Sequence, residues 1–274
     1  MFKIIIMALL IFIGMVGYDS ITDKAQPTTP VQQEQQKVSK HEKSAAMALF
    51  TSLLPPKEEW PSPVHKFYLA FNMNEVIDPI CQNPNWTGLD AMSRDIPQAL
   101  IAIEDHAFYN HGAIAVEGIL RAALANINAG EVVQGGSTLT QQFVKNVFLS
   151  HEQSMERKIE EAVLSLMLED NYSKDEILEL YLNTTYFGAG STGIKQASRT
   201  YFGKAPSALT LAEASVIASL PYAPTSLNPL ENPDGCKKRQ LLVLAAMHKY
   251  GMINQGQLAE AKAEKIRLTN GTVM

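Results

Sequence analysis

SKDEILELYL, residues 173–182, is the stretch that decides the fold class. Ser173 followed three residues later by Glu176 is a reciprocal capping box. The serine oxygen takes a free amide of the first helical turn, and the glutamate reaches back to the serine amide. The box opens a helix that runs to Leu182. Working outward, Thr210-Leu-Ala-Glu213 repeats the device and opens a helix that stops at Pro221. Arg157–Asp170 carries Ile159, Val163, Leu166 and Met167 at helical spacing. Pro97 fits the first turn of a helix through Ala99, Leu100, Ala102 and Ile103. Ser137, after Gly135-Gly136, is placed to cap a helix through Phe148. Gln255–Lys265 reads as a last, surface-like helix. Strand signals are few and short, His65–Phe71 being one. The predicted class is therefore mainly α, with no internal repeat.

Upstream the chain changes character. Lys3 precedes an apolar run from Ile4 to Gly17, with Tyr18 at its edge. Fourteen residues fall short of the roughly 20 that a spanning helix wants. A basic start followed by an apolar stretch also describes a signal peptide. Residues 1–18 are read as a signal-anchor, with a cleaved signal peptide as the alternative; in either case the remainder is exported. Residues 19–43, rich in Gln, Thr, Pro and charge, form a linker. Residues 44–274 hold the folded domain, whose motif core is residues 93–265, and Ala45–Leu54 is predicted as a short helix ended by Pro55-Pro56.

Composition excludes several classes. The 274 residues are 46% hydrophobic, so the bulk is globular. A net charge of -5 argues against a general nucleic-acid binder. The two cysteines, Cys81 and Cys236, are too few for a disulfide framework or a zinc site and are read as unpaired thiols.

Four segments could carry chemistry. In Ile101-Ala-Ile-Glu104-Asp105 an apolar helix ends in two carboxylates. Successive helix positions differ by about 100°, so the two need not share a role. A carboxyl among apolar neighbours tends to have a raised pKa, which suits acid–base work. Phe108 and His111 follow. In GGSTLTQQFVKN, residues 135–146, two glycines let the backbone approach a ligand, and the first amides of the next helix attract anions. Thr138, Gln142 and Lys145 share one helix face there. The order of residues is not that of a nucleotide-binding loop, so a diphosphate outside a nucleotide fits better. Arg157 and Lys158 lie at a helix start, where the dipole disfavours cations and a nearby anion would stabilise them. Glu161, at i+4 and i+3 from them, could equally make a plain surface salt bridge. Finally, Tyr181-Leu-Asn183-Thr-Thr-Tyr186-Phe-Gly188 breaks a helix into a glycine-punctuated loop, a packing signature.

In this order the segments resemble the glycosyltransferase module of class A penicillin-binding proteins and their monofunctional relatives, glycosyltransferase family 51. The matching motifs are EDHAFYNH, GGSTLTQQFVKN, RKIEEAVLSLMLE, KDEILELYLNTTYFGAGSTGIKQASRTYFGK and LTLAEASVIASLPYAPTSLNP. The resemblance implies a lysozyme-like, two-lobed domain with an N-terminal membrane segment. It implies polymerisation of lipid II into β-1,4 glycan strands, with inversion and release of undecaprenyl diphosphate. Glu104 matches the catalytic base and Glu161 the second essential carboxylate. Asp105, Phe108 and His111 match supporting positions at the substrate. Thr138, Gln142, Lys145 and Asn146 match the donor-site segment, and Arg157 and Lys158 the basic pair on the departing diphosphate. No cofactor is required outright; Glu161 could organise a divalent cation, Mg or Mn, at the diphosphate. The implied partners are lipid II, the growing strand, the cytoplasmic membrane, and cell-wall synthesis or division proteins. The catalytic domain would lie on the periplasmic or extracellular face, with apolar residues within Ala113–Leu124 facing lipid.

The chain departs from the family pattern in places. His111-Gly112-Ala113-Ile114-Ala115 carries Ala113 for an expected Gly and Ala115 for an expected Asp. Gln153 stands where relatives often have a basic residue. Neither Ser-x-x-Lys nor Lys-Thr-Gly occurs, so no transpeptidase activity is expected. Two other functions compete. A lysozyme-like hydrolase or lytic transglycosylase needs flanking carboxylates but no diphosphate cradle. A non-catalytic lipid II-binding scaffold needs no base.

Overall fold

The computed structural model describes residues 68–118, 135–150 and 154–274. The expected segments 1–18 and 19–43, the helix Ala45–Leu54, and Gln153 lie outside these residues. The chain divides into two compact units, Met1–Leu69 and Ala70–Met274, and the second carries every element named below.

That unit is built of helices: α1 (Asn74–Cys81), α2 (Asp95–Glu104), α3 (Leu139–Phe148), α4 (Met155–Asn171), α5 (Lys174–Thr184), α6 (Ile194–Phe202), α7 (Leu211–Ser219), α8 (Pro233–Lys249) and α9 (Gln255–Ala263). Among the described residues, extended structure amounts to two isolated bridges, Tyr186 with Thr192 and Arg267 with Val273. No described helix is long and apolar enough to cross a membrane. The strand expected at His65–Phe71 is overturned where it can be seen, because residues 68–71 are helical. A short apolar run carries no period long enough to tell the two apart.

Polar caps set the helix starts. Ser173 with Glu176, and Thr210 with Glu213, form the expected reciprocal boxes. At α3 the cap is Thr138 rather than Ser137. The Thr138 hydroxyl accepts from the Gln141 amide at 3.1 Å while Gln141 Oε1 accepts from the Thr138 amide at 3.1 Å. Thr-x-x-Gln is itself a box spacing, which frees Ser137 for another partner. Ser154 caps α4, so Arg157 and Lys158 fall in its first turn.

Two groups of helices pack around one apolar core. α2, α7 and α8 pack against one another, α3 packs on α4 and α5, and α6 touches both α5 and α7. Tyr181, Tyr201, Phe108, Phe143 and Phe187 are fully enclosed at the centre. The polar face of α5 holds a loop: Glu179 accepts from the Trp86 indole at 3.0 Å and the Leu89 amide at 2.8 Å, and Asn183 pairs with both backbone groups of Thr87. The α5–α6 turn needs its glycines. Gly188 has φ +88°, and a Cβ there would sit 2.2 Å from the Pro224 carbonyl oxygen. Cys81 is exposed and Cys236 buried, both as free thiols.

Candidate active site

Glu104 is the last residue of α2, where Ile96, Leu100 and Ile101 anchor the helix in the core. Its Oε2 accepts from Gln142 Nε2 at 3.0 Å, and Gln142 Oε1 accepts from the Tyr181 hydroxyl at 3.0 Å. Three segments far apart in sequence thus meet in one chain of hydrogen bonds. Burial pushes the Glu104 carboxyl above its ordinary value. The Gln142 hydrogen bond and the charges of Arg239 and Lys145 pull it back, and Asp105 adds a smaller push upward. Burial, and then the charge of Glu104, drive the Tyr181 hydroxyl far up, so it stays a donor.

Asp105 faces elsewhere, as the 100° step between neighbours allows. Its Oδ1 meets His111 Nε2 at 2.6 Å, and its Oδ2 accepts from the Leu139 amide at 3.1 Å, at the positive end of α3. The other ring nitrogen of His111 donates to the Gly112 carbonyl at 2.6 Å, since a carbonyl only accepts. Thr138 donates to the Ala113 carbonyl at 2.7 Å. Phe108 is fully buried under the Lys174 ammonium. Asp105, Phe108, His111 and Thr138 are expected at the substrate. Their described contacts tie the loop after Glu104 to the start of α3. Ala113 is buried, which removes it from the expected lipid-facing patch. Val116 is exposed, and residues 119–124 lie outside the described residues. The Ala113 departure costs no backbone strain, because Ala189 is the one described non-glycine residue with positive φ.

The cations gather at the other end of the α3 start. Glu161 is buried, with one carboxylate oxygen on Lys158 and the other 3.5 Å from Arg157. Lys158 also donates to Ser137 Oγ at 3.3 Å, which joins the basic pair to the glycine segment. Arg157 Nε is buried and has no partner. Lys145 and Asn146 are exposed on α3, and Lys145 lies close enough to favour the ionised form of Glu104. The two oxygens of Glu161, the residue expected to organise a divalent cation, face Lys158 and Arg157. No group of three His, Cys, Asp or Glu among the described residues could hold one.

Three contributors escape sequence reasoning. Tyr181 reads as packing, Ser137 as a helix cap, and Arg239 belongs to no motif. Arg239 rides on α8, whose start is signalled by Asn232-Pro233, an N-cap followed by proline at the first position.

The transglycosylase family model matches residues 73–248. A Cupriavidus necator protein provisionally named a transglycosylase is 42% identical over 68% of this chain and 80% of its own length. Penicillin-binding protein 1A of Neisseria flavescens is 43% identical over 68% of this chain, and penicillin-binding protein 1A/1B of Bacillus subtilis 41% over 72%. The matched regions cover 23% and 22% of those two proteins, so this chain spans under a quarter of either.

Proposed function

The chain belongs to the transglycosylase family, and on that premise we propose that it is a peptidoglycan glycosyltransferase polymerising lipid II at the outer face of the bacterial cytoplasmic membrane. The domain is read as the lysozyme-like, two-lobed one of that family. Supporting this is one observation above others: residues 137–145 border both the base and the cations. Gln142 holds Glu104, and Ser137 holds Lys158 beside Arg157 and Glu161.

Glu104 has Oε1 free of any described hydrogen bond, while Oε2 is fixed by Gln142. In the proposed reaction Oε1 takes the proton from the 4-hydroxyl of the acceptor lipid II. The hydroxyl oxygen bonds to the anomeric carbon of the donor strand, whose bond to the diphosphate oxygen breaks, inverting that centre to β. Undecaprenyl diphosphate leaves with the bonding electrons. Lys145, Arg157 and Lys158 meet the growing negative charge as cations already in place. Glu161 holds two of them in position and touches no reacting atom. No step passes through a metal ion or a transpeptidase residue. A hydrolase would have no use for a basic pair, Arg157 and Lys158, fixed on a buried Glu161.

The test is incubation with labelled lipid II, followed by sizing of the product with and without muramidase. A ladder of strands that muramidase collapses is expected. Release of fragments from preformed strands, with no polymer from lipid II, would overturn the proposal in favour of a hydrolase.

A further inference from the structure

α4 carries an apolar stripe that the core does not use. At about 100° per residue, Met155, Ile159, Ala162 and Leu166 fall within about 60° of one another on that helix. Its buried side chains, Glu161, Leu164, Ser165 and Leu168, lie on the far side. Met155 is 79% exposed, Ile159 62% and Leu166 48%. Single exposed apolar residues are ordinary, but three large ones aligned on one helix face mark a surface that meets something apolar. The stripe starts in the first turn of α4, beside the cations. Lys158 lies about 60° round from Met155 and one turn before Ala162, so it borders the stripe on one side and pairs with the buried Glu161 on the other. Its ammonium also reaches Ser137. At the other end the exposed Asp170, one turn beyond Leu166, closes the stripe.

We propose that this stripe of α4 binds the polyprenyl chain of a lipid diphosphate whose head is held by Arg157 and Lys158. This rests on the diphosphate reading above and adds where the tail goes. The ligand has an anionic head joined to a long hydrocarbon, and α4 presents cations joined to an apolar stripe in the same order. From Met155 to Leu166 the stripe is about 16 Å long and about 10 Å wide, so it offers roughly 160 Å². A stable pair of copies buries roughly 800 Å² on each partner, far more than this. One hydrocarbon chain fits so narrow a strip and needs no matching surface, because apolar burial is non-directional. The bilayer surface is the poorer match, since the exposed Glu156 and Asp170 border the stripe and would be pressed into it.

The experiment measures binding of farnesyl diphosphate and of inorganic diphosphate to the full chain in detergent. The proteins are the parent, the double variant Ile159→Gln with Leu166→Gln, and Leu242→Gln, which removes an exposed apolar side chain from α8 instead. The parent should prefer farnesyl diphosphate. The double variant should lose roughly tenfold in affinity for it and keep its affinity for inorganic diphosphate. Leu242→Gln should behave as the parent. Equal affinity of the parent for both probes, or an unchanged preference in the double variant, overturns the proposal. So does an equal loss for both probes, which would place the effect on the head or the fold. If the double variant keeps its preference but loses flotation with liposomes, or loses a dimer seen in sedimentation, the stripe belongs to the bilayer or to a second copy and the proposal fails. Polymerisation of lipid II is assayed separately. A parent that makes no polymer yet shows the expected probe pattern overturns the proposed function and leaves the polyprenyl site standing.

Discussion

Gln142→Leu would cut the link between Glu104 and Tyr181, and its cost comes from two hydrogen bonds. The amide donates to Glu104 Oε2 at 3.0 Å and accepts from the Tyr181 hydroxyl at 3.0 Å. Leucine is of similar size, so the loss is polar rather than a cavity. A hydrogen bond to a charged group contributes about 1.5–3 kcal/mol, and a buried hydroxyl left without an acceptor costs about 1–3 kcal/mol. Glu104 keeps some exposure, which favours the lower end for the first, whereas Tyr181 is fully enclosed. The sum is about 3 kcal/mol. Tyr181→Phe alone leaves Gln142 Oε1 unpartnered and should cost about 1 kcal/mol. The double variant has neither orphan, so it should be about 2–3 kcal/mol more stable than the two single costs predict. Urea unfolding of all four proteins near neutral pH measures this. Costs that add, with coupling below about 0.5 kcal/mol, would refute the shared network.

Glu104→Gln should lower turnover on lipid II by roughly 10²–10⁴ while leaving binding intact; a folded variant with near-normal turnover removes Glu104 as base. The same change should stabilise the fold at neutral pH. Burial holds the Glu104 carboxyl above its ordinary 4.5, so its contribution to stability is full below that value and lost as pH rises through the folded value. The gain in Tm should therefore shrink toward zero in acid, and an equal gain at acid and neutral pH would contradict it. Lys145→Ala should raise the barrier by about 2–4 kcal/mol without changing Tm, because the side chain is exposed and makes no described hydrogen bond; unimpaired polymerisation would end its role. Gly188→Ala should cost at least about 2 kcal/mol, from positive φ and the approach of the Pro224 carbonyl, read as a fall in Tm.

Much is legible from local rules. Ser173 with Glu176 and Thr210 with Glu213 announce two helices, because a cap and its partner lie three residues apart and need no tertiary contact. The same rule applied to Thr138 and Gln141 places the start of α3 one residue later than a Ser137 cap does. The basic pair with Glu161 is visible for the same reason, as an i,i+3 and i,i+4 spacing on one helix.

What the sequence cannot assign is the use of each polar atom. Thr138 and Gln142 share a face of α3, yet one closes onto the Ala113 carbonyl and the other reaches Glu104. Asp105 and Glu104 are neighbours, yet one ties down His111 and the start of α3 while the other is held through one oxygen by Gln142. Such choices depend on which partner from a distant segment comes within hydrogen-bonding range, and a hydrogen bond acts only over about 3 Å. Helices are decided along the chain, by caps and period. The upward shift of the Glu104 carboxyl is set across it, by burial first and then by the Gln142 hydrogen bond and the charges of Arg239 and Lys145 that oppose it, because burial and Coulomb forces depend on distance in space.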